Sequence, residues 1–377
     1  MTRFYLDYNA TAPVRPEVRD SVVRALDLGN PSAVHEDGRK ARAAVENARA
    51  AIASFCGAVP EGVVFTSGGT EACNLAMRLR AAPAGNVTRV LISAVEHAAV
   101  GQAALASGLE VTRLPVDARG VVDLMGLDEA LAQPAPALVC IMLANNETGV
   151  VQPIADIAAR VKAHGSLLFC DAVQAAGKIP LNLAVLGCDA LAVSGHKIGA
   201  PMGTGALAVR PGLVVPPAIN GGGQELGRRG GSENVAGIVG FGVAAGLSVH
   251  DDDESDRIAV LRDEMEAALR ARVADIHIFS AGAPRLPNTS CFGLAGLHSE
   301  TVVMALDLAG ISVSAGAACS SGKVSRSHVL DAMGVEHDLS SGAIRVSLGR
   351  DTQVQACDRL VETWTTLAAT LERPAAQ

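Results

Sequence analysis

Aromatic side chains are scarce: the 377 residues include one tryptophan, two tyrosines and seven phenylalanines, 3% of the chain. Rings on which single-stranded bases could stack are therefore too few for a nucleic-acid platform. A basic surplus is missing as well. Lysine and arginine total 31 against 39 acidic residues, a net charge of −8, and no basic run tracks along the sequence. Nucleic acid is not an expected partner. The eight cysteines include no Cys-x-x-Cys pair, so a zinc site is not expected. No secretory signal is visible in Met1-Thr2-Arg3-Phe4-Tyr5-Leu6-Asp7, and the thiols read as reduced and cytoplasmic. No apolar run suits a membrane. The longest, 235–249, is rich in glycine and leads into Asp251-Asp252-Asp253-Glu254, which fits a buried helix better than a bilayer span. Internal repeats and low-complexity tracts are absent.

What is present is enough apolar material for a large core: 49% hydrophobic residues against 19% charged. From about residue 63 to 209, short apolar runs alternate with helical periods. Strands are expected over 63–66, 89–93, 137–143, 166–170, 190–193 and 205–209. Helices are expected over 70–80, 97–106 and 154–164 between them. That alternation predicts an α/β fold with a mostly parallel sheet covered by helices. A composition break near residues 250–256 precedes an amphipathic helix over 257–272. Strand-like runs then mix with helices. The expected organisation is a large domain over 15–255 and a smaller α+β domain built from 1–14 and 256–377.

Sheets of this kind bind ligands beyond the carboxyl ends of their strands, so the residues there matter most. The first run ends in Ser67-Gly68-Gly69-Thr70-Glu71, either a tight turn with Thr70 as a helix cap or an anion cradle. The second leads to Glu96-His97, where a lone histidine at a helix start is more often structural. Asp171 follows an apolar run, with Gln174 close behind. It reads either as a cap of the next helix or as the partner of a cationic ring nitrogen. The next run ends in Ser194-Gly195-His196-Lys197. A lysine so near a buried strand end is costly without a partner or a reaction, and desolvation makes it a Schiff-base nucleophile. Together these supply the three contacts that pyridoxal 5′-phosphate (PLP) requires: a phosphate cradle, a ring-nitrogen partner and a lysine.

The sequence resembles the class V aminotransferase group of fold-type I PLP enzymes and, within it, cysteine desulfurases of the NifS/IscS type. The motifs are Leu6-Asp7-Tyr8-Asn9-Ala10-Thr11, Gly29-Asn30-Pro31-Ser32-Ala33-Val34-His35, Thr66-Ser67-Gly68-Gly69-Thr70-Glu71, Asn145-Asn146-Glu147-Thr148-Gly149 and Ser194-Gly195-His196-Lys197. The resemblance implies a fold-type I transferase with a seven-stranded sheet. It makes Lys197 the cofactor lysine, Asp171 the partner of the ring nitrogen, Gln174 the partner of the ring hydroxyl and His97 the ring-stacking proton carrier. Gly69, Thr70, Ser194 and His196 would bind phosphate, and Asn146 and Arg345 the substrate carboxylate. Ser232, where the family usually has threonine, would reach the phosphate of a second subunit in a homodimer.

Ser314-Ala315-Gly316-Ala317-Ala318-Cys319-Ser320-Ser321-Gly322 matches the nucleophile loop, with alanines at 315 and 317 where serines are common. Cys319 would take sulfur from L-cysteine as a persulfide, leaving alanine, and pass it to an acceptor such as an iron–sulfur scaffold protein. The other seven cysteines read as structural. A selenocysteine lyase, another class V aminotransferase or lyase, and a non-enzymatic sulfur carrier are the alternatives.

Overall fold

The computed structural model describes residues 3–81, 87–248, 252–316 and 326–369. Its centre is a seven-stranded sheet: β1 (Val63–Thr66), β2 (Arg89–Ser93), β3 (Glu110–Leu114), β4 (Ala137–Met142), β5 (Leu167–Asp171), β6 (Ala190–Ser194) and β7 (Gly205–Val209). The strand order is β1-β7-β6-β5-β4-β2-β3. Pairing is parallel from β6 through β5, β4 and β2 to β3, while β7 runs antiparallel to both its neighbours. The sheet is thus mostly parallel, as the alternating pattern predicts.

Its inner strands are buried at every residue because helices cover both faces. Strand alternation divides the side chains between two cores. Val139 and Ile141, Leu168 and Cys170, and Leu191 and Val193 face one core with the helices Glu36–Cys56, Ile154–Ala163 and Val235–Leu247. Leu138 and Cys140, Leu167 and Phe169, and Ala190 and Ala192 face the other, with Gly69–Ala76 and Ala98–Ala106. The Val235–Leu247 segment is a buried helix, and its glycines have a use. A Cβ on Gly242 would stand 2.7 Å from the Cα of Ala48, so glycine lets the two helices touch.

β3 escapes the sequence pattern because it is an edge strand. Glu110 is exposed and only Leu114 is fully buried, so no apolar run marks it. The helix expected over 257–272 begins earlier, at Asp252. Asp252, Asp253 and Glu254 form its first turn, where negative charge suits the helix dipole.

A second sheet is antiparallel and has the order His277–Ile278, Thr289–Gly293, Ile344–Ser347, Ser314–Ala315. The helices Asp252–Arg272, Ser299–Leu308 and Val354–Ala368 contribute to its core, in which Trp364 lies edge-on to Phe292 at 4.9 Å. Leu6 from the opening of the chain is part of this core. Phe4–Tyr5 pairs with Ile311–Ser312, and Asp7 bridges to Ser347. No helix among the described residues is long and apolar enough to cross a membrane.

Candidate active site

The carboxyl ends of β1, β2, β4, β5 and β6 converge on a cavity of about 330 Å³. Gly69, Thr70, His97, Asn146, Asp171, Gln174, Ser194, His196, Lys197 and Arg345 all line it. Ten of the expected site residues are thereby brought together. Ser232 is exposed and belongs instead to a separate hollow near Ser67 and Asn234. Cys319 lies outside the described residues.

Lys197 ends the short turn Gly195–Lys197 that follows β6. Gly195 is required there, since a Cβ would fall 2.2 Å from the Thr204 hydroxyl oxygen. Lys197 Nζ donates to the carbonyls of Asn9 at 2.6 Å and Ala10 at 2.9 Å. His196 is held neutral: burial, assisted by Lys197, lowers it to about 4.

Asp171 is the last residue of β5. Its Oδ1 accepts from the Val173 N–H at 3.0 Å, while Oδ2 has the Cys73 thiol 4.0 Å away. One oxygen thus shapes a turn and caps no helix, since the next helix, Leu183–Leu186, is capped by Asn182, and the carboxyl group still reaches the cavity. Burial pushes the Asp171 carboxyl up, against the pull of the Val173 N–H, His97 and Lys197.

His97 also does two things. Its Nδ1 accepts from the Ala99 N–H at 3.1 Å and caps the helix Ala98–Ala106. An accepting Nδ1 puts the proton of the neutral ring on Nε2. Burial lowers the pKa of His97 and so favours that neutral ring.

Thr70 is not a cap. The helix starts at Gly69 with Gly68 before it, leaving Gly69 and Thr70 at the helix start on the cavity wall. Gly69 is tight: a Cβ would meet Val173 at 2.9 Å and Ser194 at 3.5 Å.

Arg345 comes from the other sheet. Only 2% exposed, it donates to the Asn146 carbonyl at 2.9 Å and to Asp7 at 2.8 Å. Asn146 therefore meets Arg345 through its main chain.

Several contributors carry no sequence signal of their own. The Asn9 carbonyl accepts from Lys197 and, at 2.9 Å, from Gln174 Nε2. Its side chain bonds Lys178, Asn288 and Thr289. Lys178 donates 2.7 Å bonds to Asn9 Oδ1 and Gln174 Oε1, which fixes the Gln174 amide with its NH₂ as donor. Burial, reinforced by Lys197 and Arg345, pushes the Lys178 ammonium well below its usual range. The nearest sequence signal was the motif containing Asn9.

The seven described cysteines are buried free thiols. Cys73 nonetheless reaches the cavity wall, where burial and Asp171 hold its thiol well above the usual range. No cluster of metal-ligating side chains occurs among the described residues.

Residues 4–360 match the family described as aminotransferase class-V. A cysteine desulfurase from Trichormus azollae is 43% identical over 96% of this chain and 92% of its own length. The cysteine desulfurase IscS of Dictyoglomus turgidum is 41% identical over 92% of this chain and 89% of its own. The X-ray structure of a NifS-like protein from Rickettsia africae superposes with a TM-score of 0.87 at 34% identity, covering 97% of this chain and 99% of that one. The architecture is that of the fold-type I enzymes, and the chain belongs to the aminotransferase class-V family, within its cysteine desulfurase branch.

Proposed function

We propose that this protein is a PLP-dependent cysteine desulfurase that converts L-cysteine to L-alanine and carries the sulfur as a Cys319 persulfide. The observation that carries this reading is the single cavity lined by Lys197, Asp171, His97 and Arg345. The cavity suits the cofactor. Gly69 leaves no room for a Cβ beside Val173, which favours a close backbone approach, and Thr70, Ser194 and a neutral His196 offer donors for phosphate. Asp171 offers a buried carboxylate to the ring nitrogen, His97 a neutral ring to stack, and Gln174 an amide donor held in orientation by Lys178. Lys197 is the residue that would hold the group covalently. When bound, PLP supplies an electron sink for the substrate α-carbon.

The chain's own residues then have separate tasks. Arg345 binds and orients the substrate carboxylate. Lys197 takes the α-proton, with neutral His97 beside it as a second proton carrier. The Cys319 thiolate attacks the substrate sulfur, so an S–S bond forms and the C–S bond breaks. The electron pair of the broken bond stays on the substrate carbon, which takes up a proton to become the methyl group of alanine. The persulfide passes to an acceptor protein of the iron–sulfur scaffold kind. Ser232 completes the phosphate site of a second subunit in a homodimer. That assignment agrees with the exposure of Ser232 and with its place outside the cavity of its own chain. The reduced thiols agree with a cytoplasmic setting.

The test is direct. Protein loaded with PLP and given L-cysteine should release alanine and sulfide in the presence of a thiol, and Cys319→Ser should bind PLP yet release neither. A Cys319→Ser variant that still desulfurates at the wild-type rate would sink the reading.

A further inference from the structure

A guanidinium has five N–H donors, and it grips a carboxylate with two parallel bonds from one edge. Either two-pronged edge, Nε with Nη2 or Nη1 with Nη2, includes Nη2. In Arg345 that nitrogen is already engaged twice, with Asp7 Oδ1 at 2.8 Å and Ser314 Oγ at 3.0 Å. The Ser314 hydroxyl in turn donates to Asp7 Oδ2 at 2.8 Å, closing a triangle. Nη1 bonds the Asn146 carbonyl, and Nε is buried with no partner among the described residues. Half of one edge is thus open, while the nitrogen that would complete it is occupied by a carboxylate of the protein itself.

We infer that Asp7 is an internal stand-in for the substrate carboxylate. It neutralises the buried Arg345 in the ligand-free protein and yields Nη2 when a ligand carboxylate takes the Nε–Nη2 edge. This rests on the reading of Arg345 as the carboxylate-binding residue of a desulfurase. The exchange explains why a buried arginine can await an anion without the cost of an unpaired charge. It also makes Asp7 a specificity-determining residue. Only a ligand with a carboxylate replaces what the site gives up, so an amine without one gains nothing from the exchange. Ser314, bonded to both partners, stays with Asp7 when Arg345 is taken over.

The sign of one substitution decides the matter. If Asp7 competes with the ligand, Asp7→Asn keeps an oxygen for Nη2 but removes the rival charge. If Asp7 merely holds Arg345 in position, the same change weakens ligand binding. The measurement is equilibrium binding of the product L-alanine, and of ethylamine as its counterpart without a carboxylate, followed by the visible absorption of the PLP-loaded protein. The expected result is that Asp7→Asn lowers the Kd for L-alanine by about tenfold, the scale of one charge-assisted hydrogen bond, and leaves ethylamine unchanged. An unchanged or raised Kd for L-alanine overturns the inference alone. A wild-type protein that takes up PLP but shows no response to L-alanine overturns both the inference and the desulfurase reading. Should Asp7→Asn fail to fold, a crystal structure of the wild type with L-alanine gives the same answer. The Asp7–Arg345 contact is expected to be broken, and its persistence beside a bound carboxylate contradicts the exchange.

Discussion

Asn9 gathers partners from across the chain: Gln174, Lys178 and Lys197 on one side, Asn288, Thr289 and Ser347 on the other. An Asn9→Ala change keeps the main-chain bonds to Gln174, Lys197 and Ser347 but removes the buried side-chain bonds to Lys178, Asn288 and Thr289 at once, each worth about 0.5–1.5 kcal/mol. Denaturant unfolding should show a loss of about 2–4 kcal/mol, and a loss within experimental scatter would contradict the role of Asn9 as a joint. Asp171 makes a chemical prediction. Asp171→Asn should retain PLP but exchange the substrate α-proton for deuterium roughly 100-fold more slowly or worse. Unchanged exchange would remove Asp171 from its role.

Two carboxyl groups near the site predict a pH effect. Burial raises Glu147 to about 7 and Glu96 to about 8. The folded chain therefore keeps these protons over a range in which the unfolded chain has released them. The stability tied to this excess is fully present below the ordinary carboxyl range, lost as pH rises through about 7 and 8, and flat above. The slope is about 1.4 kcal/mol per pH unit for each group. Glu147→Gln removes one contribution and leaves an oxygen to accept the Ser327 hydroxyl, which lies at 2.5 Å in the native chain. Its unfolding free energy should fall less steeply between about pH 5 and pH 7 than that of the wild type. Identical slopes would contradict the assignment.

At the scale of elements, the helix Val235–Leu247 is where packing is least forgiving. Ala48 leaves no space at Gly242, and Val22 approaches Gly240 as closely. Gly242→Val should cost about 1–3 kcal/mol through overpacking, read from the urea midpoint, and a neutral effect would mean the helices can separate. The strands that lead to Asp171 and Lys197 were legible in the sequence because covering both faces of a sheet leaves continuous apolar runs, and a charged residue at the end of such a run stands out. β3 was not legible, since an edge strand keeps polar residues on its open side. Lys178 and the acceptor role of the Asn9 carbonyl were hidden for another reason. Their bonds link positions 9 and 174 and 9 and 178, pairs brought together only by the fold. Glu147 stood inside a quoted motif, but its burial beside Ser327 followed only once residues 147 and 327 met.

Across the whole molecule, the opening of the chain is shared between two bodies of structure. Leu6 packs in the smaller core, while three residues later Asn9 bonds Lys178 and Lys197 at the edge of the larger sheet. Arg345 from the smaller sheet and Lys197 and Asp171 from the larger one thus line one cavity at the junction of the two sheets. The proposed homodimer belongs to this scale too: sedimentation should give a dimer whose PLP affinity drops on Ser232→Ala, and a fully active monomer would contradict it. The central claim is that Cys319 receives sulfur from L-cysteine. A single turnover of the PLP-loaded protein, followed by mass spectrometry of the intact chain and its peptides under non-reducing conditions, tests it most directly. The account predicts one added sulfur atom on the peptide containing Cys319, with one alanine released for each. Alanine formed without added sulfur on that peptide, or sulfur found on another cysteine, would contradict it.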